Sequence, residues 1–69
     1  MTDTELLTCK IDGSGLKRTY IAGKLGLSPY GLSKKINNES EFKGSEIKLL
    51  CQILNIKTLE EKESIFFAE

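Results

Sequence analysis

Histidine is absent from the sequence, and the only two cysteines, Cys9 and Cys51, lie far apart and outside any CxxC pair. Imidazole and thiolate are the usual zinc ligands and proton carriers, so this composition argues against a metal centre, a disulfide framework and most catalytic constellations. Both cysteines read as reduced thiols acting as small hydrophobes. No apolar run approaches the ~20 residues of a membrane span, and residues 1–5 have neither the basic start nor the apolar stretch of a secretory signal. A cytoplasmic protein with no membrane partner is therefore expected. There is also no phosphate-cradling glycine loop, and no pair of carboxylates set where their pKa values would shift. Glu60, Glu61 and Glu63 read as a solvated helix face near a positive helix start. Neither an enzyme nor a cofactor is expected.

What is present is a 69-residue chain, 39% hydrophobic and 29% charged, with room for one domain and one small core. Ten basic side chains balance ten acidic ones. A neutral total argues mildly against nucleic acid as a partner, because DNA-binding domains use positive charge to displace counterions from phosphate. The distribution along the chain argues the other way. Residues 17–43 carry Lys17, Arg18, Lys24, Lys34, Lys35 and Lys43 against Glu39 and Glu41, a net +4. The segments on either side each carry a net −2: Asp3, Glu5 and Asp12 against Lys10 before it, and Glu46, Glu60, Glu61, Glu63 and Glu69 against Lys48, Lys57 and Lys62 after it. A basic middle lies between acidic ends.

The apolar spacing is helical throughout and predicts an all-α domain of about five short helices. The first is expected over about residues 3–11, with Asp3 as N-cap, Leu7 and Ile11 inward and the Asp12-Gly13-Ser14-Gly15 stretch as its stop. A second over about 18–25 turns Ile21, Ala22 and Leu25 inward and ends at Gly26, suited to a left-handed cap. Ser28-Pro29 is a strong helix start: serine accepts from the first-turn N–H groups, and proline at the first helical position has no N–H to leave unbonded. This third helix places Leu32 and Ile36 inward and ends near Asn37-Asn38. Phe42 is expected in the core. A fourth helix over about 45–54 uses Ile47, Leu50, Cys51 and Leu54. Asn55 ends it and Ile56 folds back. Thr58 and Glu61 have capping-box spacing for a fifth helix that runs into Ile65, Phe66 and Phe67.

Residues 17–37 form the informative segment. Ala22 is small where two helices must cross closely, Gly26 permits the turn, and Ile21, Leu27, Leu32 and Ile36 can fix the angle between the helices. A helix held proud of the surface in this way fits a major groove about 12 Å wide. The stretch Ile21-Ala22-Gly23-Lys24-Leu25-Gly26-Leu27-Ser28, followed by Leu32-Ser33-Lys34-Lys35-Ile36-Asn37-Asn38, resembles the Cro and phage-repressor (Xre-like) helix-turn-helix family. With the fourth helix the resemblance covers nearly the whole chain.

The resemblance implies a lambda-repressor-like fold and a small phage or prophage transcriptional regulator that binds a double-stranded DNA operator. It places Pro29, Tyr30, Ser33 and Lys34 on the exposed face of a recognition helix over about 29–37, with Tyr30 and Lys34 the foremost base-contacting residues. Lys17, Arg18, Lys35 and Lys43 are the expected phosphate contacts. The chain departs from the family pattern at the first exposed recognition positions, where Gln, Arg or Asn is common: Pro29 lacks a side-chain donor and Gly31 lacks a side chain. That departure, the neutral charge and the Phe66-Phe67 pair leave open a second reading, a phage modulator or antirepressor acting on a partner repressor protein. The same pair equally suits a homodimer, or simple packing of one ring in the core with the other over its edge.

Overall fold

Helix α1 (Thr4–Ser14) opens where the Asp3 carboxylate accepts from the Leu6 N–H at 3.0 Å. It runs about one turn past Ile11 and ends within the stretch expected to stop it. Gly13 is helical, and the chain leaves the helix at Gly15, in the left-handed region at φ 75°. Ser14 bridges this end: its hydroxyl donates to the Ile11 carbonyl at 2.6 Å and accepts from the Leu16 N–H at 3.1 Å. The side chain thereby satisfies a carbonyl and an amide that the helix end would otherwise leave without partners.

Helices α2 (Arg18–Leu25), α3 (Pro29–Ile36) and α4 (Gly44–Ile53) all end in the same way. The last turn of each is closed by a left-handed residue, Gly26, Asn38 and Asn55 respectively, at φ 72°, 64° and 61°. The amide that follows reaches back in each case: Leu27 to the Ala22 carbonyl, Glu39 to that of Lys34 and Ile56 to that of Cys51, all at 2.8 Å. This is the Schellman arrangement, and glycine and asparagine are the residues that enter it with least strain. Helix α4 starts at Gly44, one residue before the expected start. Lys43 is its N-cap, and the Lys43 N–H donates to Glu46 Oε1 at 2.8 Å. A lysine side chain has no acceptor to return, so only the glutamate half of a capping box forms.

Helix α5 (Leu59–Phe66) opens with the Glu61 N–H donating to Thr58 Oγ1 at 3.2 Å, while the Glu61 carboxylate pairs with Lys10 at 2.5 Å. Helix α2 packs on α3 and α4, and α1 on α3 and α5. Among the described residues thirteen buried side chains form a single core, with Leu7, Ile11, Ile21, Leu32, Ile36, Leu50 and Ile65 almost wholly out of solvent. Phe42 is half-buried and meets Phe66 edge-on, with ring centroids 5.7 Å apart. Of the two cysteines, Cys51 packs against the core, whereas Cys9 is exposed and is no part of it.

The N-terminus is latched onto two elements. The Thr2 N–H donates to Asn38 Oδ1 and Asn38 Nδ2 donates to the Thr2 carbonyl, both at 2.8 Å. The Asp3 N–H donates to the Ile65 carbonyl at 2.6 Å, and Thr4 Oγ1 to the Ile36 carbonyl at 2.7 Å. The computed structural model describes residues 1–68, and among these there is no strand. The radius of gyration, 10.7 Å, is close to the ~11 Å of a packed chain of this length, so the protein is one small all-α domain. Among the described residues no helix is long and apolar enough to cross a membrane.

Candidate nucleic-acid interface

Among the described residues every buried side-chain polar atom has a hydrogen-bond partner, so the interior holds no side chain that calls for a ligand. The candidate site is a surface, built where α2 turns into α3. Residues 26–28 make the whole connection. Gly26 reverses the chain, Leu27 packs against the core, and Ser28 caps α3, accepting from the Gly31 N–H at 3.0 Å. Pro29 takes the first helical position. Gly31 has a local reason to lack a side chain, since a Cβ there would come within 3.2 Å of the Ser28 hydroxyl that makes the cap.

With Leu32 and Ile36 fully inward, helical geometry turns the opposite face of α3 to solvent. Pro29 is exposed, Tyr30 is 73% exposed, and Ser33 and Lys34 are half-buried on the same side. The Lys34 ammonium stands 5.6 Å from the Tyr30 ring centroid. One turn of helix separates the two residues, and a cation held over an exposed ring is stabilised by about 0.5–1 kcal/mol, which narrows the range of orientations both side chains sample. Helix α2 repeats this pair, with Lys24 5.6 Å from the ring of the half-exposed Tyr20. Neither Tyr20 nor Lys24 was among the residues expected to contact DNA. Their signal was the Tyr-x-x-x-Lys spacing common to both helices.

The expected phosphate-contacting residues divide. Lys17 is exposed at the N-cap of α2 and Arg18, half-buried, begins the helix; no acid occupies that first turn, and among the described residues no side chain caps it. Unpartnered N–H groups beside two cations favour an anion there. Lys43 is exposed at the N-cap of α4. Lys35 is a correction. Its side chain is only 12% exposed and donates to Glu46 Oε1 at 2.5 Å, tying α3 to α4 and leaving its charge neutralised by a carboxylate instead of facing solvent. Burial of Glu46 works to raise its carboxyl pKa, but the hydrogen bonds and charges of Lys35 and Lys43 outweigh burial and hold it below the ordinary 4.5.

Phe66 is the second correction. It is 4% exposed and belongs to the core beneath Phe42, so of the aromatic pair only Phe67, 56% exposed, offers surface to a partner. No family model, curated protein or solved structure matches the chain.

Proposed function

We propose that this protein is a sequence-specific DNA-binding transcriptional regulator of the Cro or phage-repressor type. In this reading residues 17–37 act as its helix-turn-helix and α3 enters the major groove. The observation that carries the proposal is the outward face of α3, where Tyr30 and Lys34 are held together on a short helix that a three-residue turn sets against α2. Lysine can donate to guanine O6 and N7, and the tyrosine ring edge and hydroxyl suit a thymine methyl or the backbone. Lys17 and Arg18 at the open start of α2, and Lys43 at the start of α4, fit the role of phosphate contacts that set register without reading sequence.

With Lys35 withdrawn into its ion pair, this surface has five cations left to offer: Lys17, Arg18, Lys24, Lys34 and Lys43. Specific binding with few phosphate contacts implies a shallow salt dependence, since each contact contributes about 0.9 to the slope of log K against log salt. Titration of the duplex flanking the protein's own gene, with random duplex of equal length as competitor, tests the reading. Binding that survives the competitor and weakens with salt is expected. Equal affinity for both duplexes would remove the claim of sequence specificity.

A second reading, in which the chain modulates a partner repressor, rests on the exposure of Phe67 beside the exposed Met1. Loss of partner capture on Phe67→Ser, with DNA affinity unchanged, would favour it.

A further inference from the structure

The segment after residue 43 is net acidic, yet its three lysines gather on one surface. Lys48 near the middle of α4, Lys57 in the α4–α5 turn and Lys62 in α5 all line an open groove of about 560 Å³. Among the described residues no acidic side chain lines it, and none of the three lysines is in an ion pair. The groove is a product of the chain reversal at Asn55. The left-handed turn there sends Ile56 into the core, hydrogen-bonded to the Cys51 carbonyl, and brings Lys57 back beside α4. Its floor is apolar, with the buried Ile56 and the half-buried Cys51, and at its edge stands Leu59, 67% exposed. Burial pushes the Cys51 thiol pKa up while the Lys62 ammonium works against that shift, as expected of a cation close over this floor.

The geometry points to a second binding surface, independent of the DNA reading: the α4–α5 groove docks an acidic, amphipathic segment of a partner protein, with carboxylates on Lys48, Lys57 and Lys62 and an aliphatic side chain against Ile56 and Leu59. Charge complementarity selects this occupant. A second copy meeting the groove about a two-fold axis would bring six ammonium groups together, a like-charge arrangement that opposes association. A nucleic-acid backbone would satisfy the lysines but offers no aliphatic group for Leu59. A helix with glutamates along one edge and leucine between them answers both features, as in helix-in-groove recognition.

The test uses the full chain and a synthetic helical peptide of glutamate, leucine and alanine, with binding followed through the protein's amide resonances. Shifts are expected at Lys48, Lys57, Leu59 and Lys62, and they are expected to vanish when glutamine replaces glutamate or alanine replaces leucine in the peptide. The double change Lys57→Glu with Lys62→Glu is expected to weaken the peptide at least about tenfold. The milder Lys57→Gln with Lys62→Gln gives the same direction and leaves the fold a second chance should the charge reversal impair it. Shifts confined to α2 and α3, equal binding of the glutamine peptide, the same resonances moving with duplex DNA, or their movement with protein concentration alone would each overturn the inference.

Discussion

Lys35 and Glu46 form the only ion pair among the described residues whose two side chains are both largely shielded from water, at 12% and 9% exposure. Removing one partner of such a pair strands the other, so its loss is more damaging than its presence is stabilising. Glu46→Gln is expected to destabilise the protein by about 2–3 kcal/mol in urea unfolding near neutral pH, somewhat below the ~3–5 kcal/mol of fully buried pairs. The sign of the pH effect follows from the depressed carboxyl pKa. The contribution of Glu46 is fully present above its unfolded value near 4.5 and is lost as pH falls through the lower folded value. Wild type and Glu46→Gln are therefore expected to converge in stability as pH drops below that range. A constant gap down to strong acid would show that the carboxylate charge is not what Lys35 needs. None of this was legible in the sequence, where Lys35 is one of two adjacent lysines on a basic helix. Which of them turns inward depends on α4 being close enough to present Glu46. The Phe66-Phe67 pair failed to resolve for the same reason: adjacent apolar residues at a helix end differ only in phase, and the packing of Phe42 sets that phase.

At the scale of elements, the helix boundaries were the most legible feature because their determinants are local. Asp3, Ser28 and Thr58 each cap the helix that follows, and Gly26 and Asn55 each close the one before. Where a boundary moved, a side chain acted across a few residues in a way that composition alone does not signal: the Ser14 hydroxyl prolonging α1 and the Glu46 carboxylate drawing the start of α4 back to Gly44. The two left-handed asparagines look equivalent in sequence and are not. Asn55 needs only its backbone conformation, whereas Asn38 also holds Thr2 through two hydrogen bonds. Asn55→Gly is expected to change stability by less than about 0.5 kcal/mol, since glycine enters this conformation freely. Asn38→Gly keeps the turn but releases the N-terminus, and is expected to lose about 1–2 kcal/mol at roughly 1 kcal/mol per hydrogen bond. Thermal unfolding of the two variants separates these cases. Equal effects would mean that the latch contributes nothing.

Across the whole molecule, charge and exposure arrange themselves in a way that the neutral total hides. The basic middle segment carries Lys17 and Arg18 at the start of α2, Lys24 and Lys34 on α2 and α3, and Lys43 at the start of α4, while Lys48, Lys57 and Lys62 line a separate groove beside the second half of α4. The first grouping could be read from sequence because its members are contiguous along the chain. The second could not, because Glu60, Glu61 and Glu63 mask it in any running sum and only the reversal at Asn55 assembles it. Proposed DNA recognition thus falls to a small face: two tyrosine–lysine pairs and two helix starts.

The proposed division of labour between reading bases and gripping phosphate is open to one direct measurement. Affinities of Lys34→Ala and Lys43→Ala for the duplex flanking the protein's own gene and for random duplex would be determined over a salt series. Lys34→Ala is expected to lose about 1–3 kcal/mol on the specific duplex and little on the random one, collapsing the ratio between them. Lys43→Ala is expected to weaken both alike and to lower the salt slope by about one. If the two variants behave identically, or if neither duplex is bound by the unaltered protein, α3 does not read DNA.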